Sequence, residues 1–103
     1  MRRFIIGLGL TALASATVAM AAPAAIKGAE LMPQAKVTLA AATATALKAR
    51  PGTITDSELE KEKGGSGLRY SFDITSAAKK YEVGVDAKTG AVLENKAEGP
   101  NPD

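Results

Sequence analysis

The chain contains no histidine, no cysteine and no tryptophan, and its 103 residues include only two tyrosines and two phenylalanines. Without histidine it lacks the side chain that most often moves protons near neutral pH. Without cysteine it also lacks the thiol nucleophile and a common zinc ligand. Structural disulfides and a lipid-modified cysteine are excluded as well. Ser66, Ser71 and Ser76 have no histidine to activate them, and nothing in the spacing of Lys79 or Lys80 supplies a substitute. The composition therefore argues against an enzyme, and no cofactor is expected.

An excess of either charge is also lacking, the formal net charge being +2. Lysine and arginine number 13 and aspartate and glutamate 11, and two of the basic residues are Arg2 and Arg3. Without those two the chain is neutral, which removes the main electrostatic motive for nucleic-acid or anionic-membrane binding. Tyr70, Phe72 and Tyr81 fall at alternating positions that read as core, so no stacking platform for single-stranded nucleic acid is expected either.

The N-terminus has the layout of an export signal. Arg2 and Arg3 form a basic start, Phe4 to Leu13 is apolar, and Ala19, Met20 and Ala21 supply a small-residue cleavage site. The competing reading is a retained anchor, because Phe4 to Ala22 carries no charge and approaches the ~20 residues that span a bilayer. Its second half is mostly alanine, threonine and serine, which favours cleavage. The expected organisation is a signal over residues 1–21, a flexible leader over 22–36, a domain over 37–95 and a disordered tail over 96–103. The expected location is periplasmic or secreted.

Within the domain, Thr38 is placed to cap a helix over Leu39 to Ala49, with Lys48 and Arg50 where the helix dipole favours cations and Pro51 and Gly52 at the exit. Leu39, Ala42, Ala46 and Leu47 share one stripe. So short a helix must dock on something, and its alanines allow close approach. The surface offered is a set of strands: "LRYSFDI" and "YEVGV" alternate apolar with polar residues, and "AVLE" follows a turn. The stretch from Thr53 to Lys63 can be written as strand or, through a Thr55–Glu58 capping box, as helix. The strand is preferred, and because it puts Ile54 and Leu59 on opposite faces it needs a bulge or a change of role midway. The expected fold class is α+β, with one N-terminal helix packed on a three- to four-stranded antiparallel sheet.

Three glutamates, Glu58, Glu60 and Glu62, would line one face of that first strand. A calcium site needs six or more oxygens, generally from a looped backbone, so a solvated face is preferred to a metal site. "GGSG" lacks the lysine and helix start of a phosphate loop and reads as a hairpin turn. In "VDAKTGAV", Asp86 can bond its own turn and Gly90 can take the left-handed conformation that the reversal requires. Both are assigned a structural role.

The helix ending in "ALKARPG", the charged strand "ELEKEKGG", "LRYSFDI" and above all "YEVGVDAKTGAVLE" resemble a single PepSY domain over about Val37 to Glu94. The resemblance implies a helix-plus-antiparallel-sheet module that binds or inhibits peptidases. With no protease on this chain, inhibition would act in trans. The family has no agreed catalytic residues, so none is carried over. The leading expectation is an exported, non-catalytic module engaging a protein partner, a peptidase among the candidates, through Glu58, Glu60, Glu62, Arg69, Ser71 and Asp73 on the outer face. The alternative is a periplasmic ligand or ion sensor, or an accessory subunit of a membrane transporter or signalling receptor. Pairing of edge strands into a homodimer is compatible with both.

Overall fold

A computed structural model describes residues 26–99. The signal expected over 1–21 and the last four residues of the expected tail lie outside that range.

Helix α1 spans Leu39–Ala49, and Thr38 caps it by accepting a hydrogen bond from the Ala41 amide at 3.1 Å. It is followed by four strands, β1 (Thr53–Lys61), β2 (Leu68–Ser76), β3 (Lys79–Asp86) and β4 (Val92–Ala97). They form one antiparallel meander in the order β1-β2-β3-β4 with the helix against one face, an α+β arrangement. The last strand continues beyond the expected "AVLE" to Ala97.

β1 is a strand, and its register slips between Ile54 and Asp56. The extra residue turns Ile54 and Leu59 to the same side, with Ile54 opposite Ile74 and Leu59 opposite Tyr70. Leu59, Leu68, Tyr70, Phe72, Ile74, Val83 and Val85 then face Leu39, Ala42 and Ala46 of the helix in one buried cluster. Each large apolar side chain contributes roughly 1.5–3 kcal/mol on full burial before its ordering entropy is subtracted. Ala42 and Ala46 have no exposed surface, so the helix rests directly on the aromatic layer. The Tyr70 hydroxyl, buried with its ring, donates to the Val37 carbonyl at 2.7 Å.

Tyr81, placed in the core by its alternation, is only half-buried. It lies at the rim, with the Arg50 guanidinium carbon 3.9 Å from its ring centroid. Arg50 also donates through Nε to Asn95 Oδ1 at 3.1 Å, while Asn95 Nδ2 donates to the Ala49 carbonyl at 3.2 Å. The C-terminal turn of the helix is thus moored to β4.

From Ile26 onward, the segment read as a flexible leader carries structure. Ala29–Gln34 forms a 3-10 helix, and Ile26, Leu31, Met32 and Ala35 pack on the core. Lys27 runs parallel to β1, its amide donating to the Ser57 carbonyl at 3.3 Å and its carbonyl accepting from the Leu59 amide at 2.8 Å. Gly28 makes this approach possible, since a Cβ there would collide with the Leu59 carbonyl. Apolar residues spread through an alanine- and proline-rich stretch gave no period to read; their partners are supplied only by the folded sheet.

Candidate functional site

The helix covers one face of the sheet, and the polar positions of the strands build the other. Strand register sorts them into rows. Asp56 stands opposite Asp73, Asp73 opposite Glu82, and Glu82 opposite Lys96. In the next row Glu58 stands opposite Ser71, Ser71 opposite Gly84, and Gly84 opposite Glu94. In the third, Glu60 stands opposite Arg69, which stands opposite Asp86.

Five of the six residues expected to bind a partner are gathered here by the register: Glu58, Glu60, Arg69, Ser71 and Asp73. Glu62 lies one residue past the end of β1, at the start of the hairpin, where its amide donates to the Gly67 carbonyl at 3.1 Å. Not all six are equally available. Ser71 is 9% exposed and donates to Glu60 Oε2 at 2.8 Å. Arg69 is 7% exposed and is held by the Glu94 carboxylate at 3.0 Å and the Lys63 carbonyl at 3.2 Å. These two support the face from beneath, while Glu58, Glu60 and Asp73 are half-buried and Glu62 is exposed.

The acid rows perturb their own ionisation. Burial first, and then the charges of Glu94, Asp73, Glu98 and Glu60, raise the Glu82 carboxyl above its ordinary range. The Glu62 carboxyl is raised chiefly by its hydrogen bond with Glu60, against the lowering influence of Arg69. Glu94 is differently placed, since one oxygen meets Arg69 and the other meets the Lys96 ammonium at 3.1 Å.

Asp56, Glu82, Gly84 and Glu94 belong to the same surface, although sequence reasoning did not single them out. Period two from Glu58 reaches Asp56, and "YEVGV" puts Glu82 on the polar side. Gly84 and Glu94 carry no comparable signal, because their roles depend on which side chain crosses from the neighbouring strand.

Asp86 sits at the end of the sheet where the β1–β2 and β3–β4 turns meet. Oδ1 accepts from the Lys88 amide at 2.8 Å, the Thr89 amide at 3.0 Å and the Ser66 hydroxyl at 2.8 Å, and Oδ2 accepts from the Ser66 amide at 2.6 Å. Burial alone would push this carboxyl up, but the hydrogen bonds from Ser66, Lys88 and Thr89 outweigh it and hold the group well below the usual carboxylate range. Gly90 takes a φ of 84°, and its amide donates to the Asp86 carbonyl at 2.9 Å. The carboxylate is thereby saturated by its own chain and joins two loops that are distant in sequence.

An 11-residue helix closing one face of a four-stranded meander, with the opposite face polar, defines a small helix-on-sheet module. The family described as Peptidase propeptide and YPEB domain, PepSY, matches residues 36–96, more than half of the chain. The chain belongs to that family and is a peptidase-propeptide-like, non-catalytic module. No curated protein and no solved structure matches it. Domains of this family are typically extracellular or periplasmic, and among the described residues no helix is long and apolar enough to cross a membrane.

Proposed function

We propose that the chain is an exported, non-catalytic binding module that engages a peptidase in trans and regulates it through the uncovered face of its sheet. The family supports the class of partner, and the basic, apolar and small-residue layout of the N-terminus supports export to the periplasm or beyond. The observation that carries the choice of surface is the row Asp56, Asp73 and Glu82, three acids directly opposite one another on adjacent strands. Like charges in that relation are destabilising by a few tenths to about 1 kcal/mol per pair. Lys27 beside Asp56 at 3.4 Å and Lys96 opposite Glu82 offset the row only at its two ends, so its middle is suited to a partner that brings cations to it.

Affinity capture from a native envelope extract, with mass spectrometry of the bound proteins and an assay of any captured peptidase, tests this reading. The expected result is a peptidase that is retained by the native chain, slowed by it, and lost when Glu58 and Asp73 are replaced by lysine. A peptidase held equally by the E58K/D73K chain would remove the role of the face. Absence of any specifically held peptidase would remove the regulatory role itself.

A further inference from the structure

The two edges of the sheet are not equivalent. Lys27 already hydrogen-bonds to β1, whereas among the described residues no strand lies beside β4. The Glu98 amide donates to the Lys80 carbonyl at 2.9 Å, so Lys80 and Glu98 form a hydrogen-bonded pair of the antiparallel ladder. Such pairs alternate along the ladder. Lys96 and Glu94 therefore direct their main-chain groups inward to Glu82 and Gly84, while Asn95 and Ala97 direct theirs outward from the sheet. An open edge of this kind accepts another strand.

The sequence of β4 selects which strand. About Asn95 the charges are antisymmetric, with Glu94 on one side and Lys96 on the other, both on the polar face. If the same strand is laid antiparallel about a two-fold axis through Asn95, each Asn95 faces its copy as a hydrogen-bonded pair, and each Glu94 lies directly opposite Lys96 of the second chain. Glu94 and Lys96 then occupy a non-hydrogen-bonded position, where side chains approach most closely. A shift of one residue to centre the axis on Glu94 or Lys96 would put identical charges face to face. From the outward main-chain groups of Asn95 and Ala97 and the Glu94–Lys96 complementarity, we propose that β4 pairs with β4 of a second copy of this chain, in the register centred on Asn95.

The result is an isologous dimer with one continuous eight-stranded sheet, its two acidic faces on the same side and its two helices on the other. Glu94 and Lys96 border the polar face, but the contact runs along the β4 edge while the peptidase reading is tested at Glu58 and Asp73 on β1 and β2, so either reading can fail without the other. The chain as recovered after export is examined by sedimentation equilibrium over a concentration series. A reversible dimer is expected. K96E, which breaks the 3.1 Å pair with Glu94 of its own chain and turns the two cross-chain attractions into repulsions, is expected to weaken association about tenfold or more. A97P removes an outward amide without removing a bond within the sheet, and is expected to do the same.

Register is read from N95C. The chain has no cysteine of its own, and a hydrogen-bonded antiparallel pair brings the two Cα atoms to about 5.5 Å, within disulfide range. Mild oxidation is expected to cross-link N95C and not K88C, which lies in the β3–β4 turn. A monomer at every concentration would overturn the proposal. So would a dimer indifferent to both K96E and A97P, or one in which K88C cross-links and N95C does not. Circular dichroism of each variant establishes that the fold is retained, and K96E, at an exposed side chain, serves if A97P does not fold.

Discussion

Arg69 reaches across an entire strand to Glu94. Its side chain passes over Gly84 on β3, and Nη1 lies 3.0 Å from Glu94 Oε1 on β4. A Cβ at position 84 would stand 3.2 Å from both Cδ and Nη1 of Arg69 and 3.4 Å from the Glu94 Cβ. The missing side chain is the channel through which the ion pair forms. Gly84→Ala is therefore expected to cost about 1–3 kcal/mol, the usual range for overpacking a tight site. Urea midpoints of G84A in the native and Arg69→Met backgrounds check the cause. The cost should shrink in the R69M background, where the guanidinium no longer competes for the space.

Replacing Asp86 by asparagine should separate two effects of pH. The carboxyl is held below its ordinary range when folded, so ionised Asp86 favours the folded state at pH values above that range. This contribution is lost as pH falls through the ordinary range toward the folded value. D86N is expected to be less stable by about 1–3 kcal/mol at neutral pH, as expected for hydrogen bonds to a buried charge. The gap should narrow in acid. Denaturation midpoints of both chains between pH 7 and strong acid give the comparison; a constant gap would contradict it.

Glu82 has the opposite sign. Its folded carboxyl is raised, so folding favours the protonated form, and stability falls as pH climbs from the ordinary range through the raised value. Glu82→Gln is expected to be more stable than the native chain at neutral pH and indistinguishable from it in acid. Carbon-detected NMR titration of the Glu82 carboxyl provides an independent measure of the shift, and a midpoint at or below the ordinary range would refute it.

The β2–β3 hairpin turns on Ala77 and Ala78, with φ of 53° and 67°. Both central residues of a two-residue turn of this hand need positive φ, which asparagine and glycine adopt more readily than alanine. A77N/A78G is expected to raise stability by about 1 kcal/mol or more. Chemical denaturation measures it, and an unchanged midpoint would mean that the alanines carry no strain.

Much of this architecture could be read from local pattern. Thr38 and Pro51 bracket the helix because capping and proline sterics act within a turn of chain. The conflict between Ile54 and Leu59 pointed to a bulge or a change of role midway along the strand, and the register slip between Ile54 and Asp56 is the bulge. What escaped depends on neighbours remote in sequence. Lys27 meets β1 only after Leu59 has been placed, and Ser66 reaches Asp86 only once both hairpins have closed. The same limit applies to the candidate surface. The glutamates of β1 were visible as an alternating run, but the opposition of Asp73 to both Asp56 and Glu82 is a property of register, and Arg69 could be known as a supporting residue only from its burial.

The strip of backbone around Lys27 acts as a built-in selvedge. By occupying the Ser57 carbonyl and the Leu59 amide, it finishes one margin of the sheet with the chain's own material. Proteolytic trimming that stops short of Ile26 leaves that margin intact. Loss of a few residues more would expose a second ragged border, and a sheet open along both edges has the means to string into open-ended ribbons.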